Sequence, residues 1–352
     1  MRQSSHLQGP PNFAMTESTT AVVAQPSWLR RIASVLLALL LLLAATGFLY
    51  ENISEARDRR FNPMAGKLVD VGGFKMHIDC SGQGSPAVIL DSGLGDSYTS
   101  WYKVQPLIAR FTRVCSYDRA GIGYSDASSR PRTSKVIAEE LHTLLQAAGI
   151  APPYVLVGHS MGGYDVRLYA SLYRAEVTGM VLVDSAHPEQ GKRLPGFNDA
   201  DARVIRRLEF MEFTMPLGLP RVCGFCSGDP TVRAAECNFH TLREKVAEEK
   251  ALSESASQAA VTGSLGYLPL AVLSHDPDKQ VPGVPLDVMK PAETAWNQMQ
   301  EELAHLSTRG SRTIAKNSSH YIQLDRPDLV VEVVHTVLDQ ARAGSLPSSS
   351  KP

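Results

Sequence analysis

The stretch Tyr154-Val155-Leu156-Val157-Gly158-His159-Ser160-Met161-Gly162 decides how this chain is read. An apolar run of strand character leads into G-x-S-x-G, and residues 161–173 continue with helical spacing. At average Gly and Ser usage the bare pattern turns up by chance in about one chain in ten of this length, so alone it means little. Its position carries the information. A serine on a sharp strand-to-helix turn is held in a strained backbone, and flanking glycines let neighbouring chains pass close by. Such a turn lifts the hydroxyl to the top of a sheet, beside the positive end of the helix dipole.

Working outward, strand-like runs alternate with helical stretches. Residues 67–71 and 75–80 flank Gly72-Gly73 as a β-hairpin. Residues 87–90, 113–117, 154–157, 180–183, 268–273 and 312–315 read as further strands. Residues 134–148 read as a helix with Ile137, Leu141, Leu144 and Leu145 on one face, and residues 292–306 and 327–343 also read as helices. The fold class expected is therefore α/β, a mostly parallel eight-stranded sheet covered on both faces. Residues 186–263 break the alternation after the sixth strand and form a helical insertion, or cap.

Composition narrows the possible functions. Across 352 residues, 35 Lys+Arg balance 36 Asp+Glu for a net charge of -1, which argues against a polybasic nucleic-acid binder. An apolar share of 43% supplies enough side chain for a large core. Residues 32–50 are 19 positions without a charge, and at about 1.5 Å per residue they reach roughly 28 Å, enough to cross a bilayer. Arg30 and Arg31 favour the preceding end staying in the cytoplasm. The expected layout is a disordered cytoplasmic N-terminus (1–31), a transmembrane anchor (32–50), a linker (51–66), a catalytic-sized domain (67–343) and a disordered tail (344–352). The alternative for 32–50 is a signal peptide cleaved near Ala44-Ala45-Thr46, which would make the protein secreted. Either way the domain is expected outside the cytoplasm.

A serine is a poor nucleophile unless a base, held by an acid, takes its proton. His320, between the last strand and the last helix, reaches the same sheet edge as Ser160. For the acid, Asp276 at the end of the seventh strand is preferred, with Asp184 after the sixth strand and Asp278 as alternatives. His159 is expected to pack beside the nucleophile, His275 to be a loop residue, and Asp118 to fasten its Gly-rich loop.

These motifs resemble an α/β-hydrolase-fold serine hydrolase of the capped, esterase-like, membrane-anchored bacterial type. The resemblance runs from about Leu68 to Ala341 and rests on Gly158–Gly162, on Tyr117-Asp118-Arg119-Ala120-Gly121-Ile122-Gly123-Tyr124-Ser125, and on His320 with Asp325-Arg326-Pro327. It implies that Ser160 attacks an acyl carbonyl, that His320 shuttles the proton, and that an acid in the chain order Ser160, Asp276, His320 orients the imidazole. It also implies an oxyanion hole from the backbone N–H groups of Leu94 and Met161. Two departures stand out: Ser92-Gly93-Leu94 replaces the common His-Gly loop, and Ser319 replaces a common Gly before His320. The activity implied is hydrolysis of carboxylic esters through an acyl-serine, with no cofactor and no metal. A carboxylate nucleophile, as in epoxide hydrolases and dehalogenases, is disfavoured by Ser160. The alternatives are a binding protein that keeps the fold, a Ser-based haloperoxidase and a carbon–carbon bond hydrolase. The expected partners are a small ester, hydrophobic if Phe210, Met211, Phe213, Met215, Leu217 and Leu219 line the pocket, and a lipid bilayer.

Cys80 and Cys115 fall on the second and fourth strands, adjacent in this fold, so a cross-strand disulfide is expected. In the cap, Cys223, Cys226, Cys237 and His240 have the spacing of a small zinc site. The expectation for an exported domain is instead one disulfide, from Cys223 or Cys226 to Cys237, with a free thiol left over.

Overall fold

A computed structural model describes residues 27–279 and 286–344. The strands are β1 (Lys67–Asp70), β2 (Lys75–Ser81), β3 (Ala87–Asp91), β4 (Val114–Tyr117), β5 (Tyr154–His159), β6 (Val177–Val183), β7 (Leu270–His275) and β8 (Gly310–Ala315). They form one sheet in the order β1-β2-β4-β3-β5-β6-β7-β8. β1 and β2 run antiparallel to their neighbours, whereas β4, β3, β5, β6, β7 and β8 are parallel. The carboxyl ends of the parallel strands therefore share one edge.

The central strands carry apolar runs, 87–90 in β3 and 154–157 in β5, because both sheet faces are covered. Every residue of β3 and β5 is buried. Along β5 the side-chain period of two sends Tyr154 and Leu156 into one core layer and Val155 and Val157 into the other. The main helices are α1 (Ser27–Phe61), α2 (Ser134–Ala148), α3 (Gly162–Leu172), α4 (Phe197–Thr214), α5 (Pro230–Glu236), α6 (Phe239–Ala260), α7 (Leu286–Ala304) and α8 (Pro327–Gly344). α2 buries the stripe Ile137, Leu141, Leu144 and Leu145, and stops at Gly149, whose left-handed φ of 72° costs least for a residue without Cβ. α8 covers the opposite face with Val330, Val334, Val337 and Leu338.

The cap lies between β6 and β7, as expected. Its helices α4 and α6 enclose a small core of Leu208, Met211, Met215, Cys237, Leu242 and Val246. Of the six cap residues expected to line a pocket, Met211 and Met215 are buried, but Phe210, Phe213, Leu217 and Leu219 face outward. The correction follows from helical spacing: Leu208, Met211 and Met215 occupy one stripe, and Phe210 and Phe213 occupy another.

The chain divides into two compact units, Met1–Ala45 and Thr46–Pro352. In the first, the described residues are all helical and begin at Ser27, so residues 27–31 are not the unstructured stretch expected of them. α1 is long and apolar enough to cross a membrane. In the second unit the expected linker is helical as far as Phe61. Glu55 pairs with Arg59 one turn on at 3.4 Å, while Glu51 and Asp58 are buried against Arg221. Residues 1–26 and 345–352, expected to be disordered, fall outside the described residues, apart from Gly344, the last residue of α8.

Cys80 and Cys115 sit directly opposite one another on β2 and β4 and are joined by a disulfide. A second disulfide joins Cys226 to Cys237, and Cys223 is an exposed free thiol.

Candidate active site

Ser160 follows β5 with φ at 51°, the left-handed region that costs a non-glycine residue of order 1–3 kcal/mol. The glycines of the motif explain how the turn fits. A Cβ on Gly158 would lie 2.5 Å from the Gly162 carbonyl oxygen, and one on Gly162 would lie 2.7 Å from the carbonyls of both Asp91 and Ser92. The turn is thus pressed against the loop after β3, and it is tied to β6 by the Ser160 N–H, which donates to the Val183 carbonyl at 3.2 Å.

The carboxylate that meets His320 is Asp184, not Asp276. His320 Nδ1 donates to Asp184 Oδ2 at 2.6 Å. Asp184 also has a left-handed φ, 42°, and is fully buried immediately after β6. Its carboxylate accepts three further bonds: His275 Nδ1 at 2.8 Å, the His275 backbone N–H at 3.0 Å and Trp296 Nε1 at 3.0 Å. Burial alone would raise this carboxyl's pKa, but the bonds from His275 and His320, and their charge, hold it well below the carboxylate range.

Asp276 is turned away because side chains alternate at the strand end: His275 points to Asp184, so the next residue points off. Its oxygens accept from the Asn317 N–H at 2.9 Å, the Asp278 N–H at 3.2 Å and Lys316 Nζ at 3.1 Å, bracing the loops after β7 and β8. Asp278 is exposed and pairs with Lys316 at 3.1 Å.

His275, expected in a loop, ends β7 and bridges two carboxylates. Its Nε2 donates to Glu293 Oε2 at 2.9 Å. Burial works against its charge, but Asp184 and Glu293 outweigh burial and push its pKa up to about 10. His159 packs beside the site as expected, its ring centroid 4.8 Å from that of His320. Burial, together with the charge of His320, pulls its pKa down to about 3. The neutral ring donates from Nε2 to the His320 carbonyl at 3.0 Å, steadying the loop that carries His320.

Leu94 and Met161, the expected oxyanion donors, lie in the loop after β3 and at the start of α3, and their N–H groups meet no acceptor among the described residues. Arg119 holds that loop, which the sequence reading missed. It donates to the carbonyls of Ser92 (2.8 Å) and Gly93 (2.6 Å), to Asp91 at 3.1 Å, and to Glu248 of α6 at 2.7 and 2.9 Å. Glu248 in turn accepts the Gly95 N–H at 2.8 Å. One buried ion pair thereby ties the loop after β3 to the cap. Asp118 fastens its own loop as expected, accepting the N–H groups of Tyr98 and Tyr124.

His187, Glu189 and Glu302 come close enough together to hold a metal ion. Arg193 already supplies a cation there, 2.7 Å from Glu302 and 3.4 Å from Glu189. A cavity of about 150 Å³ lies within the cap, lined by the apolar Leu208, Met211, Met215 and Leu242 and by Arg233, Glu236 and Lys245, and touches Gly95 of the loop after β3.

Residues 86–210 match the family model described as alpha/beta hydrolase fold. YqjL of Bacillus subtilis, an uncharacterized protein, is 27% identical over 277 residues, covering 77% of this chain and 91% of its own. YbdG of the same organism, also uncharacterized, is 30% identical over 158 residues, 44% of this chain but only 48% of the relative's length. The crystal structure of a candidate lipase from Acinetobacter baumannii superposes with a TM-score of 0.62 at 19% identity, covering 84% of this chain and 97% of that one. This chain has the α/β-hydrolase fold.

Proposed function

We propose that the chain is a serine hydrolase that cleaves carboxylic esters through an acyl-serine intermediate. The observation that carries this is the 2.6 Å bond from His320 to the buried Asp184, at the sheet edge where Ser160 sits on its strained turn. Ser160 Oγ attacks the ester carbonyl while His320 Nε2 takes its proton, and Asp184 stabilises the imidazolium so formed. The carbonyl oxygen, now an anion, accepts from the N–H groups of Leu94 and Met161. His320 returns the proton to the departing alcohol, then activates the water that releases the acid.

The apolar stretch of α1 anchors the chain in a bilayer with its N-terminus in the cytoplasm, and the two disulfides suit a domain on the oxidising side. A reporter fused after Pro352 should be active only outside the cytoplasm. Catalysis is tested on a panel of p-nitrophenyl esters of rising chain length. Ser160→Ala and His320→Ala should each lower kcat by about 10³-fold or more, with folding unchanged by circular dichroism. Wild-type turnover in either variant rejects the mechanism.

A further inference from the structure

Phe210, Phe213, Leu217, Leu219 and Val222 are 40–79% exposed along residues 210–222, the end of α4 and the short turns after it, which form one corner of the cap in chain order. α4 is thus apolar on two faces: Leu208 and Met211 point into the cap core, while Phe210 and Phe213 point out. A helix apolar on two faces needs a second apolar neighbour, and a patch of this kind marks an interaction site.

What lies beside the corner identifies that neighbour. A Cβ on Gly47 would sit 2.3 Å from the Leu217 carbonyl oxygen, and one on Gly218 would sit 3.0 Å from the Tyr50 ring. Arg221 donates to Glu51 at 3.0 and 3.1 Å and to Asp58 at 2.6 Å, and Arg233 donates to Asp58 at 2.9 Å. The corner is therefore clamped to residues 47–58, and Gly47 to Tyr50 are the last turn of the uncharged run 32–50. Within the second unit, the corner is held beside the end of that run. Arg207, whose guanidinium lies 4.9 Å over the Phe225 ring, borders the patch with a charge suited to headgroup phosphates.

We infer that this corner of the cap, led by Phe213 and Val222, seats in the interfacial layer of a phospholipid bilayer and holds the cap against the membrane surface. The inference rests on the anchoring proposed above. It makes the cap a second membrane contact besides α1.

Cys223, an exposed thiol beside Val222, is a native reporter. The full chain is labelled there with an environment-sensitive nitrobenzoxadiazole dye and reconstituted into phosphatidylcholine vesicles, with or without lipid carrying a doxyl group near the headgroup. Expected is a blue-shifted emission quenched about twofold or more by the doxyl lipid. The double variant Phe213→Glu, Val222→Glu should lose both effects, stay in the vesicle pellet after an alkaline wash, and keep its fluorophosphonate labelling. Water-like emission from a chain retained in the pellet overturns the docking while leaving the anchor intact. A dye shielded from aqueous iodide but blind to doxyl lipid also overturns it, since a second protein copy would then cover the patch. A quenched dye on a chain that washes off supports docking and rejects the anchor. An unquenched dye on such a chain rejects both.

Discussion

Replacing Asp184 with Asn separates charge and tautomer control from shape. Asparagine tolerates the left-handed φ of 42°, so the backbone need not move. The wild-type carboxylate accepts four bonds, two at each oxygen. The amide keeps one oxygen, which can still serve Trp296 Nε1 and the His275 N–H. Its NH2 then faces His320 Nδ1 and His275 Nδ1, both of which were donors. To avoid that clash His320 must carry its proton on Nε2, the atom that has to receive the Ser160 proton. The same substitution in the Ser-His-Asp template lowers kcat by about 10⁴-fold, so a loss of 10³–10⁴ is expected here. A buried charge-assisted contact is also lost, costing on the order of 3 kcal/mol of stability. The assay is kcat on one short-chain p-nitrophenyl ester at pH 7.5, with Tm measured in parallel. Asp276→Asn, whose side chain bonds the Asn317, Asp278 and Lys316 groups among the described residues, should keep kcat within about threefold. Retention of more than a tenth of wild-type kcat by Asp184→Asn, with a large loss in Asp276→Asn, refutes the reasoning.

Three further outcomes are expected. His275→Asn keeps a donor toward Asp184 but cannot reach Glu293, and should lower kcat about tenfold with little change in KM; an unchanged kcat would show that the second histidine does not position the acid. The folded pKa of His275, about 10, lies above its ordinary 6.5. Its contribution to stability is therefore complete below pH 6.5 and lost as pH rises through 10. The Tm difference between wild type and His275→Asn should shrink over that window, and a difference that grows would reverse the sign. Glu248→Gln leaves Arg119 short of a buried partner at a cost of about 3–5 kcal/mol. It should lower Tm by on the order of 10 °C and slow fluorophosphonate labelling through the loosened oxyanion loop, whereas an unshifted Tm would show that the pair adds nothing.

The sheet was legible because its central strands are uninterrupted apolar runs, and Ser160 because G-x-S-x-G lies at a strand-to-helix junction. His320 was legible by its place after the last strand. The acid was not, because Asp184 and Asp276 both end parallel strands on the same edge and differ only in which way the side chain turns. That depends on the pleat at His275, a single-residue matter that composition does not encode. Arg119 and Glu248 are 129 positions apart, and no local pattern joins them. The long cation Arg119, directly before the Gly-rich stretch Ala120-Gly121-Ile122-Gly123, was the available signal. The helix through residues 51–61 was missed because its charges looked solvated, while Glu51 and Asp58 in fact meet Arg221 of the cap.

The central claim is that Ser160 is a nucleophile activated by His320. The most direct test treats the full chain with a fluorophosphonate and maps the adduct by peptide mass spectrometry. The expected result is one adduct per chain, on Ser160, forming at least about 100-fold more slowly in His320→Ala. An unlabelled chain, an adduct on a different serine, or equal rates in the two proteins would contradict it.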